Sequence, residues 1–287
     1  MNILVTGCNG QLGRHIELAA RKSSHNFLYT DIDKLDITHR DEVVRYVKEH
    51  DIDCVLNCAA YTNVDAAEDN EETADLINHV AVGYMAEAMK SRDGLLVSIS
   101  TDYVFGGEKY NTPYPETAQA SPTGAYGRTK YAGEQAIVES KCRYIIIRTS
   151  WLYSEYGKNF VKTMLALGET KEQLSVVYDQ VGSPTYAGDL AEVIVKMLET
   201  GDLRERCGIY NYSNEGVCSW YDLAKTIFMY VGNERCRVKP CLSSEYPSKV
   251  RRPAYSVFDK NKIKKTYGLT IPYWTESLKK CIDNLTI

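Results

Sequence analysis

Short apolar runs alternate with amphipathic stretches from the first residues of the chain onward. The stretches between the runs repeat apolar residues at helical spacing, as in residues 71–90. The runs themselves have the length and composition of buried strands and lie at residues 3–5, 26–30, 54–57, 95–100 and 144–148. This alternation is typical of βαβ units, so we expect an α/β fold with a Rossmann-type, doubly wound parallel sheet.

The pattern changes after Trp151, where shorter strand-like runs at 174–178 and 209–212 are mixed with further helical stretches. We interpret this part as a smaller C-terminal α/β lobe that binds substrate. A segment between Gly106 and Ala125 is rich in Gly, Pro, Ser, Thr and Tyr and lacks periodicity, which favours a functional covering loop. The predicted division assigns residues 1–150 and about 187–213 to the sheet domain, and residues 151–186 and 214–287 to the lobe.

Composition narrows the class of protein. The chain has 287 residues, of which 44% are hydrophobic and 25% charged, as is usual for a soluble globular protein. A formal charge of −4 gives no general attraction to nucleic acid, so an anionic ligand would need a local basic cluster. The first apolar run ends after three residues and no later run has the length of a spanning helix, so we expect neither a signal peptide nor a membrane partner.

Nine cysteines occur without CxxC or Cys/His ligand spacing. That pattern favours reduced thiols in a cytoplasm over a disulfide framework or a zinc site.

A glycine-rich loop follows the first strand directly and opens a helix. Its three glycines are Gly7, Gly10 and Gly13, in GxxGxxG rather than GxGxxG spacing. In this context the backbone N–H groups at the helix N-terminus, including those of Gln11 and Leu12, can receive a pyrophosphate. The alternative is that the glycines only permit tight packing of strand against helix.

The ends of the second and third strands agree with a dinucleotide site. Asp31 lies 18 residues after Gly13, where a carboxylate would accept hydrogen bonds from the adenosine ribose, although it could also be a solvated loop residue. Asp36 and Ile37 follow as candidates for the adenine edge. The third strand end supplies mostly small residues that leave room for a cofactor, namely Ala59, Ala60, Tyr61 and Thr62.

The choice between NADH and NADPH stays open at this point. A carboxylate at Asp31 would repel a 2′-phosphate and favour NADH, whereas Arg14 and Arg21 follow the glycine loop and could compensate for that repulsion.

A candidate catalytic set lies at the fourth strand end. Thr101 directly follows a buried run, and Tyr126 and Lys130 are spaced i, i+4 on a predicted helix and so share one face. A free Tyr has a pKa near 10, and an ammonium one turn away would stabilise its phenolate. We therefore expect Tyr126 to exchange a proton, Lys130 to assist it and to hold the nicotinamide ribose, and Thr101 to bind a carbonyl oxygen. Alone, the Tyr–Lys pair would be read as a helix-surface pair.

These motifs, in this order, resemble the extended short-chain dehydrogenase/reductase superfamily, and within it the reductases of dTDP-linked sugars. The similarity covers nearly the whole chain. It is most specific in the segments STDYVF, RTSW and DQVGSPT, and it also includes GCNGQLG at 7–13, AAYTNVDAAE at 59–68, YGRTK at 126–130, NFV at 159–161 and RP at 252–253.

The resemblance implies a specific reaction and a set of site residues. The reaction would be the NAD(P)H-dependent reduction of the C4 ketone of dTDP-6-deoxy-L-lyxo-4-hexulose to dTDP-L-rhamnose. It implies that Tyr126 donates the proton, that Lys130 and Thr101 assist, and that Asp102 and Trp151 face the sugar. Trp151 could equally be a core aromatic at the lobe interface.

A local basic cluster is centred on Arg251 and Arg252. Arginine binds diphosphate oxygens in bidentate fashion, so either residue could hold the nucleotide diphosphate, with a solvated basic loop as the alternative. Some members of the superfamily bind Mg²⁺ at a dimer contact through a carboxylate just after the glycine loop. Arg14 and His15 stand there in this chain, which argues against tightly bound Mg²⁺ and that dimer, and leaves a monomer or weak homodimer.

Two alternatives remain at the level of sequence. One is a reductase that makes another dTDP-6-deoxyhexose, because these residues hold a carbonyl without fixing the face that receives hydride. The other is a non-catalytic cofactor-binding subunit of the methionine adenosyltransferase type, against which the intact Thr101, Tyr126 and Lys130 argue. A dehydratase would need a Glu where Tyr103 stands.

Overall fold

The computed structural model describes residues 1–106, 111–201 and 203–285. Within these ranges no helix has the length and apolar character needed to cross a membrane. The strands are β1 (Asn2–Thr6), β2 (Asn26–Tyr29), β3 (Cys54–Asn57), β4 (Leu95–Thr101), β5 (Arg143–Thr149), β6 (Leu152–Tyr153), β7 (Gln173–Val177), β8 (Val181–Gly182), β9 (Thr185–Tyr186), β10 (Gly208–Asn211), β11 (Cys218–Ser219), β12 (Arg237–Cys241) and β13 (Tyr255–Ser256).

Helices connect most of these strands. They are α1 (Gln11–Ala19), α2 (Arg40–Glu49), α3 (Val64–Asp69), α4 (Glu71–Asp75), α5 (Ala81–Ser91), α6 (Ala125–Ser140), α7 (Phe160–Thr170), α8 (Ala187–Glu199), α9 (Trp220–Tyr230), α10 (Asn261–Tyr267) and α11 (Trp274–Leu285).

Six parallel strands form the central sheet in the order β10-β5-β4-β3-β1-β2. Alternate residues of each strand enter hydrophobic clusters on opposite faces of the sheet: Ile3 and Val5 pack on the side of α8, and Leu4 packs on the side of α2 and α5. Burial on both faces explains why these strands are nearly continuous apolar runs. The predicted doubly wound parallel α/β fold is confirmed.

The remaining strands form three small sheets, in the orders β11-β8-β13, β12-β7 and β6-β9. A separate hydrophobic cluster joins β7, β9 and β12 to α7, α9 and α11, with Val161, Tyr186, Ile227 and Leu278 buried in it. This second core lies in the part of the chain after Trp151, where the apolar pattern became shorter.

The helical stretch from residue 71 to 91 contains a π-helical turn at Leu76–Val80 that the periodicity did not predict. Asn78 lies in this turn, and its side chain exchanges two hydrogen bonds with the backbone of Tyr61, at 2.9 and 3.1 Å. The carbonyl of Asn78 lies so close to Gly133 on α6 that a Cβ there would approach it to 2.1 Å. The π-turn therefore fixes the segment that follows β3.

The covering loop predicted between Gly106 and Ala125 is held against the smaller lobe where it is described, and residues 107–110 lie outside the described ranges. The N–H of Tyr114 donates to the carbonyl of Val257, and the hydroxyl of Thr123 donates to the carbonyl of Arg251. A Cβ on Gly106, whose φ is +114°, would approach the ring of Pro253 to 3.0 Å. The loop thus connects the end of β4 to residues of the predicted C-terminal lobe.

Candidate active site

The carboxyl end of β4 meets the first turns of α6. Thr101 ends β4, and its hydroxyl donates to the Asp102 carboxylate at 3.1 Å and accepts from the N–H of Tyr103 at 3.2 Å. Thr101 also hydrogen-bonds the phenol of Tyr126, which is partly buried near the start of α6. The structure therefore brings Thr101 and Tyr126, predicted from separate parts of the sequence, into direct contact.

Burial dominates the electrostatics of Tyr126. It raises the pKa of the phenol to about 12, and the hydrogen bond with Thr101 only partly opposes this effect. The lowering of this pKa that we expected from Lys130 is not seen, because the ammonium is directed to the carbonyl of Ile99, at 2.7 Å, instead of to the phenol. At neutral pH the phenol is protonated, as a proton donor has to be.

Lys130 is itself buried, with 5% of its surface exposed. Desolvation lowers the pKa of its ammonium to about 8, and the negative charge of Glu134 opposes that shift. A positive charge therefore persists at neutral pH one helical turn after Tyr126.

Asp102, which we expected to face the sugar, is buried, with 3% of its surface exposed. Burial raises the pKa of its carboxyl to about 6, although Ser256 and Thr101 both hydrogen-bond it. The carboxylate accepts the hydrogen bond of the Thr101 hydroxyl and so orients that hydroxyl in this structure.

The two arginines of the basic cluster differ in placement. Arg252 pairs with Asp65 of α3 through Nη2 and Oδ2 at 3.0 Å and hydrogen-bonds Tyr103, whose ring packs edge-on against Tyr126 at 5.4 Å between centroids. Arg251 is exposed and contributes its backbone carbonyl to the covering loop. Arg252 is therefore the arginine that the fold connects to Tyr126.

Trp151 is stacked on Trp220, with ring centroids 3.7 Å apart and an angle of 11° between the planes. Its backbone has φ of +50°, and a Cβ on Gly182 would approach its indole ring to 2.8 Å. Trp151 is thus a packed aromatic of the smaller lobe that stays partly exposed, which fits both of its sequence interpretations. Trp220 was missed by sequence reasoning, because nothing in a helix start signals a stacking partner 69 residues away.

The glycine loop has the geometry that a pyrophosphate site needs. Gly10 precedes α1, no side chain among the described residues caps the helix, and its first turn carries no acidic residue. A Cβ on Gly13 would approach the Gly7 carbonyl to 2.5 Å, so the loop closes tightly against the helix. The side chain of Gln11 is directed to the smaller lobe, where its Oε1 accepts from Asn159 at 2.9 Å, so only its backbone faces the loop.

Asp31 lies beside this loop and accepts from the N–H of Asn9 at 3.0 Å and from that of Ile32 at 2.9 Å. The structure thus brings the acidic residue after β2 to the glycine loop, as the motif requires. Asp36 accepts two hydrogen bonds from Thr38, which lower its pKa, and Ile37 is buried in the core beside the sheet.

The segment after β3 also reaches the glycine loop. The backbone of Ala59 lies against Gly7, Ala60 and Thr62 flank Tyr61 and are partly or fully exposed, and Tyr61 is held by Asn78. Asn78 is a second residue that sequence reasoning missed, because its role rests on a contact across the chain and not on a motif.

Gly7→Ala is expected to destabilise the fold and weaken cofactor binding. Gly7 has φ of +63°, and a Cβ there would approach the Ala59 backbone to 2.7 Å. The left-handed conformation and the close approach together should cost about 2 kcal/mol or more. Thermal unfolding and NADPH titration measure both effects. Gly201→Ala is the control, because no described residue other than its chain neighbours lies within 4 Å of its Cβ position; an equal loss in both variants would contradict this expectation.

His15, which stands just after the glycine loop, contacts Glu155 of the predicted C-terminal lobe. Nε2 of His15 lies 2.9 Å from Oε2 of Glu155, and the Tyr186 hydroxyl donates to Oε1 at 2.6 Å. Although burial raises it, the pKa of Glu155 is lowered to about 2 by hydrogen bonds from His15, Tyr186 and Asn284. No group of three or more His, Cys, Asp or Glu side chains within the described ranges has metal-site geometry.

The chain is similar to known reductases of dTDP-linked sugars. A curated relative from Mycolicibacterium smegmatis, a dTDP-4-dehydrorhamnose reductase, is 40% identical over 98% of this chain and 84% of its own length. A solved dTDP-4-dehydrorhamnose reductase from Bacillus anthracis, in complex with NADP, is 40% identical with a TM-score of 0.93 over 99% of each chain. A dTDP-4-keto-6-deoxy-D-glucose reductase from Streptomyces niveus is 38% identical over 98% of this chain and 96% of its own length.

The family model described as the RmlD substrate binding domain matches residues 1–287, the whole chain. Together with relatives of 38 to 40% identity that align over 98% of the chain, this match extends well beyond the shared Rossmann fold. The chain therefore belongs to the dTDP-4-dehydrorhamnose reductase family of oxidoreductases.

Proposed function

We propose that this chain reduces the C4 ketone of dTDP-4-dehydro-L-rhamnose (dTDP-6-deoxy-L-lyxo-4-hexulose) to dTDP-L-rhamnose, with NADPH or NADH as reductant. The observation that carries the proposal is the contact between Thr101 and Tyr126 at the carboxyl end of β4, with Lys130 buried one turn away. In open parallel sheets, ligands bind at this edge.

The mechanism uses one hydroxyl, one phenol and one ammonium. A bound nicotinamide supplies the hydride that attacks C4 of the sugar. The Thr101 hydroxyl, which Asp102 orients here, turns to the ketone oxygen and stabilises its developing negative charge. Tyr126 then donates its proton to that oxygen, and Lys130, which bonds the carbonyl of Ile99 in this structure, would have to turn towards the resulting phenolate to stabilise it.

The cofactor would lie between the glycine loop and Lys130. The backbone N–H groups of Gln11, Leu12 and Gly13 would hold its pyrophosphate, and Asp31 would accept from the adenosine ribose. Asp31 favours NADH, whereas the related Bacillus anthracis enzyme was solved with NADP. Titration of the purified protein with each cofactor would separate the two preferences.

The substrate would lie between the sheet domain and a lobe formed by residues 151–186 and 214–287. Arg252 is proposed to hold the diphosphate, because Tyr103 connects it to Tyr126. Arg251 is exposed and would assist from the rim. Asp102 and Trp151 are proposed to contact the sugar.

The test is turnover by the purified protein. We expect oxidation of NADPH or NADH, followed by nicotinamide absorbance, when the 4-keto sugar nucleotide is added, and NMR of the product should show dTDP-L-rhamnose. Absence of any absorbance loss with both cofactors would contradict the reductase assignment and support a non-catalytic, cofactor-binding role.

A second candidate is a reductase that yields another dTDP-6-deoxyhexose. The 38% identity to the Streptomyces niveus dTDP-4-keto-6-deoxy-D-glucose reductase, nearly equal to that of the rhamnose-forming relatives, favours keeping it. The configuration at C4 of the product, read from the same NMR spectrum, separates the two candidates.

We further infer that the protein works as a monomer or weak homodimer in the cytoplasm. Support comes from His15, which pairs within the chain with Glu155, and from nine cysteines that are all unpaired. Sedimentation at several protein concentrations tests the oligomeric state.

A further inference from the structure

Glu134 is a buried carboxylate that the proposed mechanism does not use. It is 2% exposed and lies on α6, one turn after Lys130. The hydroxyl of Ser100 donates to its Oε1 at 2.5 Å. Arg148 of β5 donates to both of its oxygens, at 2.9 Å from Nε and 2.6 Å from Nη2. The side chains of Ser100, Glu134 and Arg148 thus form one hydrogen-bonded group.

This group is one of three successive cross-links between α6 and the end of β4. Tyr126, Lys130 and Glu134 follow one another at a spacing of four residues and share one helix face. Each of them bonds one of the three consecutive residues 99–101, which end the strand. The contacts are Tyr126 to Thr101, Lys130 to the carbonyl of Ile99, and Glu134 to Ser100.

We propose that Glu134 is a positioning residue that fixes the register of α6 against the end of β4 and thereby holds Tyr126 and Lys130 at Thr101. This inference rests on the reaction proposed above. Glu134 acts through the two catalytic side chains that precede it on the helix. A displacement of about 1 Å between reacting groups is enough to lower a rate strongly, so the cross-link has a kinetic consequence.

Arg148 makes the cross-link rigid. Its two hydrogen bonds reach both carboxylate oxygens of Glu134, so the side chain of Glu134 is held in one orientation. Arg148 also donates through Nη1 to the carbonyl of Glu116 at 3.2 Å and lies over the ring of Phe105 at 5.1 Å. The same pair therefore connects the catalytic helix to the described part of the covering loop.

The charge of Glu134 also acts on Lys130. The ionisable groups around the contact of α6 with β4 are Tyr126 and Glu134 on the helix, Asp102 after the strand and Arg148 on β5. Among them, Glu134 is the group whose charge raises the pKa of Lys130 against the effect of burial. Without that charge, Lys130 would lose its proton at a lower pH.

Glu134→Gln tests both effects, because glutamine keeps an acceptor for Ser100 but removes the charge. We expect kcat at pH 7 to fall about tenfold, with the KM for the sugar nucleotide nearly unchanged. The alkaline limb of the kcat profile should also shift to lower pH. Glu139→Gln is the control, since it makes the same chemical change at an exposed position of the same helix and should alter neither quantity.

Two further measurements keep the test decisive. If Glu134→Gln does not fold, Ser100→Ala removes one hydrogen bond while Arg148 still pairs with Glu134, and kcat should fall several-fold with an unchanged alkaline limb. The pH dependence of NADPH binding, read from NADPH fluorescence, reports on Lys130 even if the wild type did not turn over this sugar. The inference would be overturned if the folded Glu134→Gln variant had the kcat and the alkaline limb of the wild type. It would also be overturned if the Ser100→Ala variant had the kcat of the wild type.

Discussion

Tyr126→Phe should lower kcat by about 10²–10⁴-fold while NADPH binding stays close to that of the wild type. The phenol, which is the proposed proton donor, contacts Thr101, and burial raises its pKa to about 12, so it is protonated at neutral pH. Phenylalanine keeps the ring that packs edge-on against Tyr103 and removes only the proton and its hydrogen bond. Stopped-flow or steady-state kinetics with a parallel NADPH titration measure the two quantities.

Tyr131→Phe is the matched control for that change. Tyr131 lies on the same helix, and its ring packs against the cluster around Phe105, away from the contact of Tyr126 with Thr101. Loss of its hydroxyl should leave kcat unchanged. If Tyr126→Phe retained near-normal kcat, another group would have to donate the proton, and the assignment of Tyr126 would be wrong.

The fold and the closeness of Thr101 to Tyr126 could be predicted because each depends on local pattern. Apolar runs specify parallel strands, and the residues after each run necessarily meet at one edge of the sheet, which is why Thr101 and Asp31 were found. The spacing of Tyr126 and Lys130 is enough to place them on one helix face.

The residues that the sequence did not predict act through contacts between distant parts of the chain. Asn78 acts through a π-turn and a contact with Tyr61, and Trp220 acts by stacking on Trp151. Such contacts join residues 17 and 69 positions apart and leave no periodic trace in the sequence. The direction of the Lys130 ammonium was also beyond prediction, since it depends on which carbonyl lies within reach of the side chain.

A buried charge next to a catalytic phenol should make the site less stable than an apolar replacement. Lys130 has its pKa lowered to about 8 in the folded protein, below the 10.5 of an ordinary lysine. The folded state therefore binds this proton less tightly than the unfolded state, and at pH 7 the charge opposes folding by up to about 3 kcal/mol. As pH rises from 8 towards 10.5 only the unfolded state stays protonated, so this opposition is progressively lost.

Lys130→Met should therefore raise the melting temperature at pH 7 while it lowers kcat by about 10²–10³-fold. Removing the charge gains up to about 3 kcal/mol, and the carbonyl of Ile99 loses its donor at a cost of about 1–3 kcal/mol, so the rise should be small. The difference in melting temperature between variant and wild type should be largest near pH 7 and should shrink as pH approaches 10.

Lys196→Met is the control that separates the effect of burying the charge of Lys130 from the effect of losing a lysine hydrogen bond. Lys196 also donates to a backbone carbonyl, that of Gly268 at 3.2 Å, but it is exposed, so its charge remains hydrated. Its replacement should change neither kcat nor the pH dependence of stability. A Lys130→Met variant that is less stable than the wild type at pH 7, by an amount that does not grow towards pH 10, would mean that the ammonium stabilises the fold and that its charge carries no stability cost.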